Sequence, residues 1–122
     1  MMEKITLVLG ASPREERYSN RAVRTLKKNN IPVIAVGRRE YDRNGLKILK
    51  GIPRDIGPVH TVSLYLSADN QKEYYDQILF LHPERVIFNP GAANPEFEEI
   101  LAKEEIEVVT DCMLAMLACR QF

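Results

Sequence analysis

The sequence predicts an α/β fold: a doubly wound, mostly parallel five-stranded sheet with helices on both faces. Two observations carry this expectation. Short apolar runs recur at residues 4–9, 33–36, 60–66, 85–89 and 106–110, each the length of a buried strand. Between most of them the apolar residues fall at helical spacing, and strands alternating with helices imply parallel pairing. Right-handed crossovers then wind the sheet in both directions from its middle.

The first run, KITLVL, ends at Gly10, and a polar stretch follows from Ala11 to Tyr18. Ala22, Val23 and Leu26 then lie among Arg21, Arg24, Lys27 and Lys28, which predicts a helix with Ser19 as its N-cap. It should end near Asn29 and Asn30, before Pro32. VIAV forms the second strand and Gly37 closes it. Residues 38–59 are irregular, with a short strand expected at Lys47–Leu49 and a turn of helix near Ile52–Ile56. HTVSLYL is the third main strand. Asp69 is placed to cap a helix running to about Leu81, with Tyr74, Ile78 and Leu81 on one face. RVIFN is the next strand, broken by Pro90 and Gly91. Asn94 followed by Pro95 reads as an N-cap and first-turn proline, with Phe97, Ile100 and Leu101 as the apolar stripe. IEVVT is the last strand, and Asp111 is placed to cap a helix bearing Met113, Leu114, Met116 and Leu117. This is the Rossmann-like arrangement, expected as one domain over residues 1–122.

Composition narrows the function. No apolar run approaches the roughly 20 residues that cross a bilayer. The opening MMEKITLVLGAS carries Glu3 and Lys4 and does not read as a signal peptide, so a cytoplasmic location is expected. Cys112 and Cys119 are seven residues apart, roughly 10 Å along a helix. A disulfide needs Cα atoms within about 7 Å, so both are read as reduced, packed thiols. The net charge of zero argues against bulk nucleic-acid binding. Its distribution is uneven: residues 1–60 hold 13 Lys/Arg against 6 Asp/Glu, whereas residues 61–122 hold 4 against 11. A basic first half suits an anionic ligand.

In doubly wound sheets the ligand lies beyond the carboxyl ends of the strands, where strand order reverses. Four loops are therefore candidates. The first runs from Gly10 through Ala11, Ser12 and Arg14 to Ser19. Glycine admits a sharp turn and a close phosphate, the two serines offer hydroxyls, and the first N–H groups of the helix at Asn20–Ala22 favour an anion. Ser12 and Glu15 stand where G-x-G-x-x-G would need glycine, so this is not a dinucleotide fingerprint. The second loop, Gly37-Arg38-Arg39, carries arginine where it accommodates a phosphate on the adenosine ribose. Coenzyme A and NADP both carry such a phosphate. The third and fourth loops, with Ser67 and with Asn89 and Gly91, offer small and polar groups to line a ligand channel.

VLGASPREERYSNRAVRTLKKNNIPVIAV resembles the opening of the small stand-alone CoA-binding domain proteins, relatives of the N-terminal domain of the succinyl-CoA synthetase alpha subunit. Their openings read like V-x-G-x-S-x(6)-S, which Gly10, Ser12 and Ser19 match. GLKILKGIPRDIGPVHTVSLYL and NPGAANPEFEEILAKEEIEVVTDCM follow the family's order over the rest of the chain. The chain departs from it at Gly37-Arg38-Arg39, where Asn-Pro is frequent, and at His60, where Asp is frequent. Ile87, Asn89 and Gly91 replace a Trp-x-Gln-x-Gly pattern. The resemblance implies binding of coenzyme A or an acyl-CoA.

Catalytic equipment is sparse in the sequence. His60 and His82 have no recognisable partner, and the phosphorylated histidine of the synthetase lies in a second domain absent from this sequence. Cys112 near a helix start could act as a thiolate or form a mixed disulfide with a CoA thiol, but packing is the expected role. No Cys/His spacing suggests a metal site. The expectation is therefore a non-catalytic or regulatory CoA-binding protein. An NADP-linked oxidoreductase and an interaction protein that has lost its ligand are the alternatives. A homodimer or another protein partner stays open.

Overall fold

A computed structural model describes residues 3–122. Its strands are β1 (Thr6–Leu9), β2 (Val33–Gly37), β3 (Tyr41–Arg43), β4 (Leu46–Lys50), β5 (Thr61–Leu64), β6 (Arg85–Phe88) and β7 (Glu107–Val109). Its helices are α1 (Tyr18–Lys28), α2 (Ala68–Gln71), α3 (Tyr75–Leu81), α4 (Pro95–Lys103) and α5 (Met113–Ala118). The strands form one sheet in the order β3-β4-β2-β1-β5-β6-β7, parallel except for the β3–β4 hairpin. The fold is the doubly wound α/β class, with seven strands rather than five among the described residues.

The two additional strands are β4, expected as a short strand, and β3, which is new. Of Tyr-Asp-Arg only Tyr41 packs, partly buried, against the core, so β3 is held mainly by its pairing with β4. Its turn is Asn44-Gly45, with φ of 53° and 78°. Two positive φ values define the type I′ hairpin turn, which Asn-Gly adopts readily.

Alternation along the strands separates two cores. Leu7, Leu9, Val62, Leu64, Val86 and Phe88 pack with Ile78 of α3 and with Phe97 and Leu101 of α4. Val8, Ala35, Ile48 and Ile87 pack with Ala22, Val23 and Leu26 of α1 and with Met113 and Met116 of α5. Phe97 and Leu101 are fully buried, and each stabilises the fold by about 2 kcal/mol.

Five local expectations are corrected. α1 starts two residues early: Arg17 occupies the N-cap position, while Ser19 is buried in the first turn and makes no capping bond. The helix expected from Asp69 to Leu81 is broken into α2, a 3₁₀ turn at Lys72–Tyr74 and α3, with Ser67 at the leading cap position. Residues 52–56 make one turn, closed by Ile56 N–H donating to the Pro53 carbonyl (3.3 Å), and no helix. Cys112, not Asp111, takes the cap position of α5; the Asp111 carboxylate accepts from Cys112 N–H instead (2.7 Å). Asn94 does cap α4, accepting from Phe97 N–H at 3.1 Å, with Pro95 behind it. Both cysteines are free; Cys112 is half-buried, but Cys119 is exposed rather than packed.

Candidate functional site

Strand order reverses at β1, between β2 and β5. Above that point the loops after β1, β2, β5 and β6 enclose an open cleft of about 1110 Å³. Backbone packing sets its floor. Gly10 has φ +90°, and its N–H and that of Ala11 both donate to the Val36 carbonyl, at 3.0 and 2.9 Å. A side chain at Gly10 would begin 2.7 Å from the Tyr65 carbonyl oxygen, and one at Gly37 would collide with the Ala11 carbonyl. The three central loops therefore touch through main chain, which only glycine permits at these points.

The loop after β1 is held from behind. Asn20, 2% exposed, donates through Nδ2 to the Ser12 carbonyl (2.9 Å). Its Oδ1 accepts from Arg24 Nε (2.7 Å), and the Arg24 guanidinium also donates to the Glu15 carbonyl (3.0 Å). Ser12 Oγ accepts from Arg14 N–H (3.2 Å). At the start of α1, Asn20 and Arg21 N–H both donate to the Arg17 carbonyl (3.1 Å). The open donors of the first turn are thus Tyr18 and Ser19, two residues before the expected Asn20–Ala22 set.

Gly10, Ala11, Ser12, Arg14, Ser19, Gly37, Arg38, Arg39, Ser67 and Gly91 line the cleft. Asn20 and Asn89 do not. Asn89, also 2% exposed, faces inward: Nδ2 donates to Ser63 Oγ and the Leu64 carbonyl, and Oδ1 accepts from Met113 N–H, all at 2.9 Å. It ties β6 to β5 and holds the start of α5.

The cleft has further walls that residue patterns did not single out. Arg17 and Tyr18 line it from within the first loop, where contiguity with Ser19 was a usable signal. Tyr41 reaches it from β3, and Glu73 and Tyr74 from the 3₁₀ turn, elements the sequence did not reveal. Burial raises the Tyr74 pKa, with the adjacent Glu73 adding to it, so the phenol stays neutral at physiological pH. Arg14, Arg17, Arg38 and Arg39 are exposed, and none is ion-paired; the salt bridges among the described residues are Lys72–Asp69 and Lys103–Glu99. Unpaired guanidinium groups beside open N–H donors make an anion-accepting surface.

The two histidines and Cys112 lie away from the cleft. His60 sits at the amino end of β5, where Nδ1 meets Thr61 Oγ1 at 2.7 Å. Burial lowers its pKa, and the charges of Arg85 and Lys4 lower it further. His82 ends α3 in a left-handed conformation, with Nε2 donating to the Glu104 carbonyl (3.1 Å). Cys112 does not line the cleft. Among the described residues no cluster of His, Cys, Asp and Glu could hold a metal ion, and no helix is long and apolar enough to cross a membrane.

The fold and cleft define a class: doubly wound α/β proteins with an open cleft at the switch point of the sheet, where ligands of such folds bind. Within that class the chain belongs to the CoA binding domain family, whose pattern matches residues 4–118. That membership supports a CoA-related binding role. Among solved structures, an uncharacterized protein is 43% identical over the whole of both chains, with a TM-score of 0.92. A protein of Thermus thermophilus is 24% identical over 98% of this chain and 91% of its own, with a TM-score of 0.85. A hypothetical protein of Pyrococcus horikoshii OT3 is also 24% identical, over 98% and 83%, with a TM-score of 0.83. These last two share the fold. No curated protein matches the chain.

Proposed function

We propose that this chain is a cytoplasmic, single-domain protein that binds coenzyme A or an acyl-CoA in the switch-point cleft, as a binding or regulatory module rather than a catalyst. The diphosphate lies over the Gly10–Ser19 loop and the open N–H groups of Tyr18 and Ser19. Arg38 and Arg39, beyond β2, take the phosphate on the adenosine ribose. One observation carries the reading: four unpaired arginines, Arg14, Arg17, Arg38 and Arg39, line one cleft at the point where β1 and β2 end. Family membership points to the same ligand.

Isothermal titration with CoA, dephospho-CoA, NAD and NADP tests it. CoA should bind most tightly. A charge-assisted contact contributes about 1.5–3 kcal/mol, so dephospho-CoA should bind about tenfold more weakly or worse. The Arg38→Ala/Arg39→Ala variant should erase that difference, because it removes the partner of the missing phosphate. Absence of CoA binding at millimolar concentration overturns the reading. Equal losses for the two ligands overturn the role of the arginine pair.

A further inference from the structure

The charge imbalance along the sequence is a division in space. The first 60 residues carry a net +7 and the last 62 a net −7. The sheet order places β3, β4, β2 and β1, all from the first group, on one side of the β1–β5 boundary. β5, β6 and β7, from the second group, lie on the other side. The cleft opens above that boundary, so its two walls belong to oppositely charged halves of the molecule.

The lining repeats the division at short range. Arg14, Arg17, Arg38 and Arg39 come from the loops after β1 and β2, with Glu40 the one carboxylate among them, so that wall is net basic by three charges. The wall after β5 contributes Asp69 and Glu73, and among the described residues no cation joins them. Lys72 lies 3.7 Å from Asp69, but it does not line the cleft, and both side chains are largely exposed, 62% and 92%. Such a pair is weak and leaves much of the carboxylate's field in place.

This inference rests on the CoA reading. With the nucleotide and its phosphates on the basic wall, a pantetheine arm that crosses the β1–β5 boundary brings the group on its sulfur to the wall that carries Asp69 and Glu73. We propose that the site takes CoA thioesters whose acyl group is neutral or cationic and discriminates against those whose acyl group ends in a carboxylate. The opposed walls also orient the ligand, because reversing it would set phosphates against carboxylates.

Titration of the full chain with stable CoA thioethers tests this. S-butyl-CoA is the neutral probe, S-carboxypropyl-CoA the anionic one and S-aminopropyl-CoA the cationic one. The anionic probe should bind about fivefold more weakly than the neutral one at low salt, and the gap should narrow as salt screens it. The cationic probe should bind at least as tightly as the neutral one. Asp69→Asn/Glu73→Gln alters exposed positions that tolerate substitution, and it should bring the anionic-to-neutral affinity ratio close to one. Equal binding of the anionic and neutral probes by the native chain overturns the proposal. A ratio unchanged in the double variant overturns its assignment to these carboxylates. Failure of CoA and of all three probes to bind overturns the CoA reading instead, a result distinct from equal binding.

Discussion

Asn89→Ala should cost this protein much of its stability. The amide is 2% exposed and makes three hydrogen bonds at 2.9 Å, to Ser63 Oγ, to the Leu64 carbonyl and from Met113 N–H. Ser63 can re-orient its hydroxyl, but Met113 cannot: it is fully buried, and its N–H belongs to the first turn of α5. The orphaned Met113 N–H costs about 1–3 kcal/mol, and loss of the bond to the Leu64 carbonyl costs about 1 kcal/mol more. The total is about 3 kcal/mol, which for a chain of this size lowers Tm by about 10 °C. Urea unfolding followed by far-ultraviolet circular dichroism measures it, with an unchanged m-value showing that the denatured state is unaffected. A loss below about 0.5 kcal/mol would refute the reasoning, because an exposed side chain loses no more than that.

Other consequences follow from the same geometry. Gly37→Ala drives a methyl group into the Ala11 carbonyl; it should destabilise by about 1–3 kcal/mol and abolish calorimetrically detected CoA binding, and native affinity would contradict the main-chain packing of the cleft floor. Asn20→Ala removes the hold on the Ser12 carbonyl, so CoA affinity should fall although Asn20 does not line the cleft; Asn20→Asp, which keeps only the acceptor for Arg24, should not restore it. His60 has a pKa below the ordinary 6.5 because burial, Arg85 and Lys4 disfavour its cation. The folded state therefore binds fewer protons there than the unfolded state, and stability should fall as pH drops below about 6.5. His60→Gln should flatten that part of the profile in thermal melts from pH 5 to 7, and an identical profile would show that another group is responsible.

What the sequence disclosed depended on how local the cause was. β1, β2, β5 and β6 are short apolar runs, and burial alone makes them strands. The Asn94 cap of α4 reaches only three residues, to Phe97, and so was legible. β3 was not, because Tyr41–Arg43 has no hydrophobic signature, although Asn44-Gly45 was a readable hairpin signal. The break before α3 depends on Gln71, which is fully buried and donates to the Leu66 and Ala92 carbonyls at 2.8 and 2.7 Å. The second of these partners is 21 residues away. No local pattern announces such a tether. Glu73 and Tyr74 enter the cleft only because of that break. In the same way, an asparagine in a carboxyl-end loop reads as a ligand contact until its partners 24 to 26 residues away are seen, as for Asn89.

The amides around the cleft share one logic. Asn20 holds the loop after β1, Gln71 joins the loops after β5 and β6, and Asn89 ties those strands to α5. Asn94 donates to Gln71 Oε1 (2.9 Å) and to Tyr75 Oη (2.7 Å) while capping α4. All four are buried, and a buried amide whose donors and acceptors are occupied fixes backbone position strongly, because every alternative leaves a polar group unpaired. The groups left facing the cleft are glycine main chain, open N–H donors, tyrosine rings and exposed charged side chains. Shape and chemistry are therefore carried by different residues. A change at Asn20, Gln71, Asn89 or Asn94 acts first on the fold and through it on the cleft. On the proposed reading, a change at Arg38, Arg39, Asp69 or Glu73 would alter what the cleft accepts while leaving its frame in place. Selectivity among CoA derivatives would then diverge between relatives whose backbones superimpose closely, and it is to be sought in the charges that rim the cleft rather than in its glycines.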